Sequence, residues 1–185
     1  SEVASVVGCQ GIKGVKARLP EVYKVRMSTG QSAKYLAAER TAYKNGDRKQ
    51  PTMRAIATTL SEQDINEIAA YYEASAKNDV KPLAEKLTRE PNPQVAALMQ
   101  KAACTSCHGP NLSKPIDPSY PRIAGQHADY LFVALTAYKT DNNPSVGRSN
   151  GVMDAVAKQF SNPDLKALAS YVRSLDRPLR AAPDT

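Results

Sequence analysis

Residues 30–44 of the chain return in altered form at residues 125–139. Gly30-Gln31-Ser32-Ala33-Lys34-Tyr35-Leu36 recurs as Gly125-Gln126-His127-Ala128-Asp129-Tyr130-Leu131, and Tyr43-Lys44 recurs as Tyr138-Lys139, both at an offset of 95. Further on, Met53 pairs with Met153, and Ser61, Asp64, Ile65, Ile68, Ala69 and Tyr71 pair with Ser161, Asp164, Leu165, Leu168, Ala169 and Tyr171 at an offset of 100. The chain is therefore a duplication, and the change of offset places a net five-residue insertion in the 141–150 loop of the second copy. A half of about 80 to 90 residues has a meagre core of its own. Such halves usually rely on a metal, a cofactor or a partner to complete them.

Each copy ends in a helix with a legible start. Ser61 with Asp64 three positions on reads as a capping box, and Asn162 followed by Pro163 reads as a cap with proline at the first helical position. Apolar residues then recur at helical spacing: Ile65, Ile68, Ala69 and Tyr72 in the first copy, and Leu165, Leu168, Ala169, Val172 and Leu175 in the second. Helical patterns also cover residues 31–44, 94–103 and 126–139, and no segment alternates with a strand period. The expected fold class is all-α. Between the copies, residues 77–93 are polar and contain Pro82, Pro91 and Pro93, each of which interrupts a continuous helix. The expected organisation is one domain over 1–80, a linker over 81–93 and a second domain over 94–185.

With 42% apolar and 23% charged residues among 185, the composition is that of an ordinary globular protein. No run approaches the roughly twenty apolar residues that a membrane-spanning helix needs. The chain begins at Ser1 without an initiator Met or a basic, apolar leader, and is read as a processed form whose targeting segment is gone. The net charge of +7 comes from scattered Lys and Arg, not a massed run, and so gives no nucleic-acid footprint. It is unevenly divided: residues 1–58 hold eleven basic against four acidic side chains, whereas residues 59–80 hold one against five. Such a split suits an oriented protein contact. Two of the three cysteines lie three apart and the third stands alone, so no disulfide framework is implied.

The chemistry concentrates in Cys104-Thr105-Ser106-Cys107-His108, the CxxCH pattern of haem c attachment. Two thiols at this spacing can add to the two vinyl groups of one haem, and the following His is then placed beneath the iron. A structural zinc site would need a fourth ligand, yet the chain has no second CxxC and only one other His, His127. A redox CxxC belongs to a strand–helix–strand setting that this helical sequence does not offer. The expected sixth ligand is Met153, in Asn150-Gly151-Val152-Met153 just before the terminal helix; a thioether there raises the potential and fills the coordination site. Met99 falls at helical spacing ahead of the motif and reads as core. His127, just after Gly125-Gln126, is the weaker alternative for bis-His ligation.

These landmarks, CxxCH-Gly109, then Tyr120-Pro121-Arg122-Ile123-Ala124-Gly125-Gln126, Tyr130-Leu131, Met153 and a capped terminal helix, resemble the cytochrome c4 group of tandem two-haem cytochromes c and the related haem subunit of flavocytochrome c sulfide dehydrogenase. The likeness covers nearly the whole chain. It implies two tandem class I cytochrome c domains, covalent haem on Cys104 and Cys107, axial His108 and Met153, and a Pro121 carbonyl that holds the His108 ring. The first half departs from the pattern, because Val6-Val7-Gly8-Cys9-Gln10-Gly11 stands where CxxCHG belongs. That half is expected to be haem-free, with Met53 and Cys9 filling part of the vacated core, so one haem c is expected in all.

Filled axial positions leave no iron site for substrate, and one-electron transfer follows as the expected activity. The chain alone is then not catalytic; a haem peroxidase or nitrite reductase is the enzyme alternative and needs a vacant or labile sixth position. The resemblance implies a periplasmic electron-transfer subunit in a hetero-oligomer with an FAD-containing sulfide dehydrogenase chain, the first half serving for docking. A free carrier to a terminal oxidase or reductase is the alternative.

Overall fold

The computed structural model describes residues 14–18, 20–76 and 82–180. The degenerate motif at Val6, Cys9 and Gln10 lies outside them. In chain order the elements are β1 (Lys16–Ala17), β2 (Tyr23–Lys24), α1 (Ala33–Asn45), β3 (Arg48–Lys49), α2 (Pro51–Ala57), α3 (Glu62–Ala74), α4 (Pro93–Ala102), α5 (Cys104–His108), α6 (Ala128–Ala137), β4 (Gly147–Arg148), α7 (Gly151–Ala157) and α8 (Asn162–Arg173). Among the described residues the fold is all-α apart from two antiparallel ladders of two residues per strand, β1 with β2 and β3 with β4, and a single bridge between Thr29 and Arg180. Ladders this short leave no alternation to read, which is why periodicity did not announce them.

Helix starts follow from side-chain caps. Ser32 accepts from Tyr35 N to start α1, and Gly46 at φ 92° ends that helix. Ser61 and Asp64 form the expected capping box of α3. At α8 the cap is Ser161, whose hydroxyl accepts from Asp164 N, so Asn162 sits inside the helix and not at its cap. The duplicated serine thus keeps its duty in both copies.

α1 packs on α3 and α6 on α8, with α4 crossing α8. One apolar cluster gathers Leu36, Leu60, Ile65, Ile68 and Tyr72; the other gathers Val95, Met99, Leu131, Phe160, Leu165, Leu168 and Val172. Met99 is core, as its spacing indicated. Residues 84–89 lie against the second half: Asn111 Nδ2 donates to Ala84 O at 2.8 Å, and Tyr171 Oη donates to Arg89 O.

The duplication also builds the contact between halves. Gln31 Nε2 donates to Arg122 O at 2.7 Å and its Oε1 accepts from Arg122 N at 2.9 Å. Its counterpart Gln126 makes the same pair with Met27, at 3.0 and 2.9 Å. Arg48 pairs with Arg148 across the β3–β4 ladder. Each guanidinium stacks on the tyrosine of its own half, 4.8 Å above Tyr43 or Tyr138, and donates to the other half's tyrosine, Tyr130 or Tyr35. The repeated Gly30 and Gly125 sit at φ 97° and 73°, and a Cβ on Gly125 would stand 2.3 Å from Arg177 Cβ and 2.9 Å from Leu175 O. Gly125→Ala is therefore expected to cost about 1–2 kcal/mol for the left-handed backbone and about 1–3 kcal/mol for the crowding, readable as a fall in the urea midpoint.

Candidate haem site

The second half closes around a cavity of about 1450 Å³, mouth included, and Cys104, Cys107, His108 and Met153 all line it. Four residues separated in sequence by up to 49 positions are thus brought to one space. α4 ends in Ala103, a non-glycine residue at φ 53°, and this left-handed turn starts α5, which carries the motif. His108 is buried, and its Nδ1 lies 2.8 Å from Pro121 O, the contact that the resemblance implied. That hydrogen bond fixes the tautomer with Nδ1 protonated and leaves Nε2 free to accept a proton or a metal. Burial lowers the His108 pKa, against the opposing pull of the Pro121 carbonyl, so the imidazole is kept neutral and able to ligate. Met153 enters from α7, whose first turn is capped by Asn150 Oδ1 accepting from Val152 N and Met153 N. His127 stands at the N-terminus of α6 and does not line the cavity, and so does not join these four.

The alternatives to haem find little support in the geometry. Burial pushes the Cys104 thiol up to about 11, opposite to the depressed pKa of a redox-active CxxC. Among the described residues no three His, Cys, Asp or Glu side chains are grouped to hold a bare metal ion. The cavity wall is instead apolar over Leu131, Leu135, Phe160, Leu165, Leu168 and Val172, with Arg26, Arg122 and Arg148 as its cationic part. A flat apolar macrocycle bearing two carboxylates fits such a wall.

The first half treats the corresponding space differently. At the offset of 95, Pro121, Ala134 and Leu135 of the cavity correspond to Arg26, Glu39 and Arg40, and at the offset of 100 Val172 corresponds to Tyr72. All four replacements are buried. Glu39 is ion-paired to Arg26, to Arg48 at 3.0 Å and to Arg40 at 3.6 Å. Burial by itself would raise the Glu39 pKa, but the guanidiniums of Arg26, Arg48 and Arg40 outweigh it and hold the carboxyl at about 2. A larger ring and a charged cluster thus fill interior space that is open in the second half. What remains is a cavity of about 1060 Å³, mouth included, between the halves, lined by Met53, Gln50, Tyr43 and Arg26 among others. Met53 is half-buried on this cavity wall, and so is not the core residue that the sequence suggested. The charge reading needs correction too: Arg26, Arg40 and Arg48 belong to the basic excess of residues 1–58, yet they are internal and cannot form a docking face. Sequence reasoning missed this cluster, although Glu39-Arg40 opposite Ala134-Leu135 in the repeat was a legible signal.

Residues 94–176 match the cytochrome c family. Over 178 residues the chain is 32% identical to cytochrome c4 of Pseudomonas aeruginosa, a match spanning 93% of this chain and 85% of that one. It is 29% identical over 150 residues to the thiosulfate dehydrogenase electron acceptor of Stutzerimonas stutzeri (strain A1501), spanning 77% of this chain and 67% of that one. The crystal structure of reduced recombinant cytochrome c4 from Pseudomonas stutzeri aligns with a TM-score of 0.65 at 27% identity over 95% of each chain. The chain belongs to the cytochrome c4 family of class I cytochromes c. It is accordingly a haem c protein of electron transfer, and no helix among the described residues is long and apolar enough to cross a membrane.

Proposed function

We propose that the chain passes single electrons through one haem c, held in the second half, on behalf of a dehydrogenase that oxidises a reduced sulfur compound. The observation that carries the single-haem reading is the Glu39 cluster, which occupies in the first half the positions that form the cofactor wall in the second. When bound, haem c supplies a one-electron ferric/ferrous couple. Cys104 and Cys107 would hold it by thioether bonds, and His108, oriented by the Pro121 carbonyl, and Met153 would be the residues that ligate its iron. Leu131, Leu135, Phe160 and Val172 keep water from that couple, which favours the less charged reduced form.

The kinship with a thiosulfate dehydrogenase electron acceptor supports a sulfur-oxidising partner. A flavoprotein that oxidises sulfide, passing its two electrons singly to this chain, is the same role with a different donor. Mixing the holoprotein with each type of dehydrogenase and its substrate, and following haem reduction, tells the two donors apart; reduction by neither would leave the chain a carrier from another source. Haem attachment to CxxCH takes place after export, so the proposed location is the periplasm.

Met153 decides between carrier and enzyme. The ferrous holoprotein is expected to bind carbon monoxide only slowly and ferrous Met153→Ala to bind it at once, while the ferric variant lacks the red methionine–iron absorption band of the ferric holoprotein. Rapid carbon monoxide binding by the unaltered protein would instead favour a peroxidase or reductase with an open iron.

A further inference from the structure

Among the described residues, three arginines and no carboxylate line the haem cavity. Arg122 and Arg148 make no ion pair there, while Arg26 shares Glu39 with Arg40 and Arg48. Arg26 Nε is buried and has no hydrogen-bond partner. Arg148 stacks 4.8 Å from the centre of the Tyr138 ring and donates to Tyr35 Oη at 3.3 Å, neither of which answers its charge. Arg26 is buried and Arg122 and Arg148 are half-buried, and guanidiniums withdrawn from water in such excess over anions are costly unless a further anion meets them.

Arg26 belongs to the first half. It stands where the repeat has Pro121 in the second half, and it lines both the remnant cavity of its own half and the open cavity of the other. Arg148 likewise lines both, and its ladder partner Arg48 stands behind it, bonded to Glu39 at 3.0 Å. The loss of one cofactor site has therefore placed a guanidinium at the edge of the other.

We propose that Arg26 and Arg148 bind the propionate carboxylates of the haem in the second half, so that the haem-free half completes the surviving site by supplying its counter-charge. This rests on the reading that the second half holds haem. Guanidinium suits the task because its planar fork can take a carboxylate in two hydrogen bonds. Arg26 and Arg148 act here as positioning and charge-balancing residues: an uncompensated carboxylate near the iron favours the oxidised form, and the two guanidiniums offset it. The first half would then be retained because the haem site is incomplete without it.

The test uses the full-length holoprotein. Intact mass under denaturing conditions first establishes that haem is covalently present in each variant; its absence from the unaltered chain would defeat the underlying reading and not this proposal. Midpoint potentials are then measured for Arg148→Gln, Arg148→Lys, Arg26→Gln and Arg26→Lys. Both Gln variants are expected to raise the oxidised-to-reduced ratio at a fixed poise by about three- to tenfold, and both Lys variants to stay near the unaltered value. Arg26→Gln also disturbs Glu39; if it fails to fold, the Arg148 pair tests the cation of the second half, which has no carboxylate partner among the described residues, and an Arg26→Lys variant that shifts the potential as far as Arg148→Gln would overturn the contribution of the first half. A Gln variant with an unchanged potential, or a Lys variant that falls as far as Gln, would overturn the proposal, the second outcome showing packing at work in place of charge.

Discussion

Glu39→Gln is expected to unfold the first half or leave it barely stable. The carboxylate is the shared partner of Arg26, Arg40 and Arg48, all buried, and glutamine has its shape without its charge. Removing one partner of a buried ion pair typically costs about 3–5 kcal/mol because it strands the other charge. Here three guanidiniums are stranded together, against a typical domain stability of about 5–15 kcal/mol. Urea denaturation followed through tyrosine fluorescence should show the loss, and a shift below about 1 kcal/mol would mean that water already reaches the cluster.

The same carboxylate sets an acid limit. Its folded pKa of about 2 lies below the ordinary 4.5, so its stabilisation is complete above the ordinary value and is lost as pH falls from there towards 2. The first half is expected to unfold over that range in acid, and a stabilised Glu39→Gln background should lack this part of the pH dependence.

Replacing Cys104 and Cys107 together by serine is expected to abolish covalent haem and, with it, the fold of the second half. The apolar wall of Leu131, Leu135, Phe160, Leu165, Leu168 and Val172 would then face unfilled space. At about 24 cal/mol per Å³ of cavity, the roughly 210 Å³ left empty costs about 5 kcal/mol, comparable with the whole stability of a marginal domain. No haem should remain with the double variant after acid–acetone extraction, and limited proteolysis should cut readily between α4 and α8. Haem retained through that extraction would mean attachment elsewhere in the chain.

Much of this was open to inspection in the amino-acid order, because the repeat prints every landmark twice. Ser61 and Ser161, Gln31 and Gln126, and Met53 and Met153 each mark equivalent places, and CxxCH names its own chemistry. The helices followed from apolar spacing, with ends displaced by a residue or two where a cap was misassigned, as at Ser161. Other features depend on tertiary contact and leave no local trace. Ala103 at φ 53° and the fully buried Leu112 at φ 58° occupy a backbone region that their residue types do not advertise. The amide of Gln126 meets Met27 from 99 positions away, a pairing with no periodic signature. The arginines of the first half read as surface charge because single Arg residues usually are. Only the comparison of Glu39-Arg40 with Ala134-Leu135, position by position, betrays that they turned inward.

The central claim is that one half carries the cofactor and the other has given part of its site to a buried charge cluster. It is tested most directly by haem content per chain, from the pyridine haemochrome spectrum of the purified full-length protein together with its intact mass under denaturing conditions. One covalent haem, abolished when Cys104 and Cys107 are replaced, is the result the account predicts. Two haems per chain would contradict it, for the second would have to share the first half with the buried Glu39–arginine cluster.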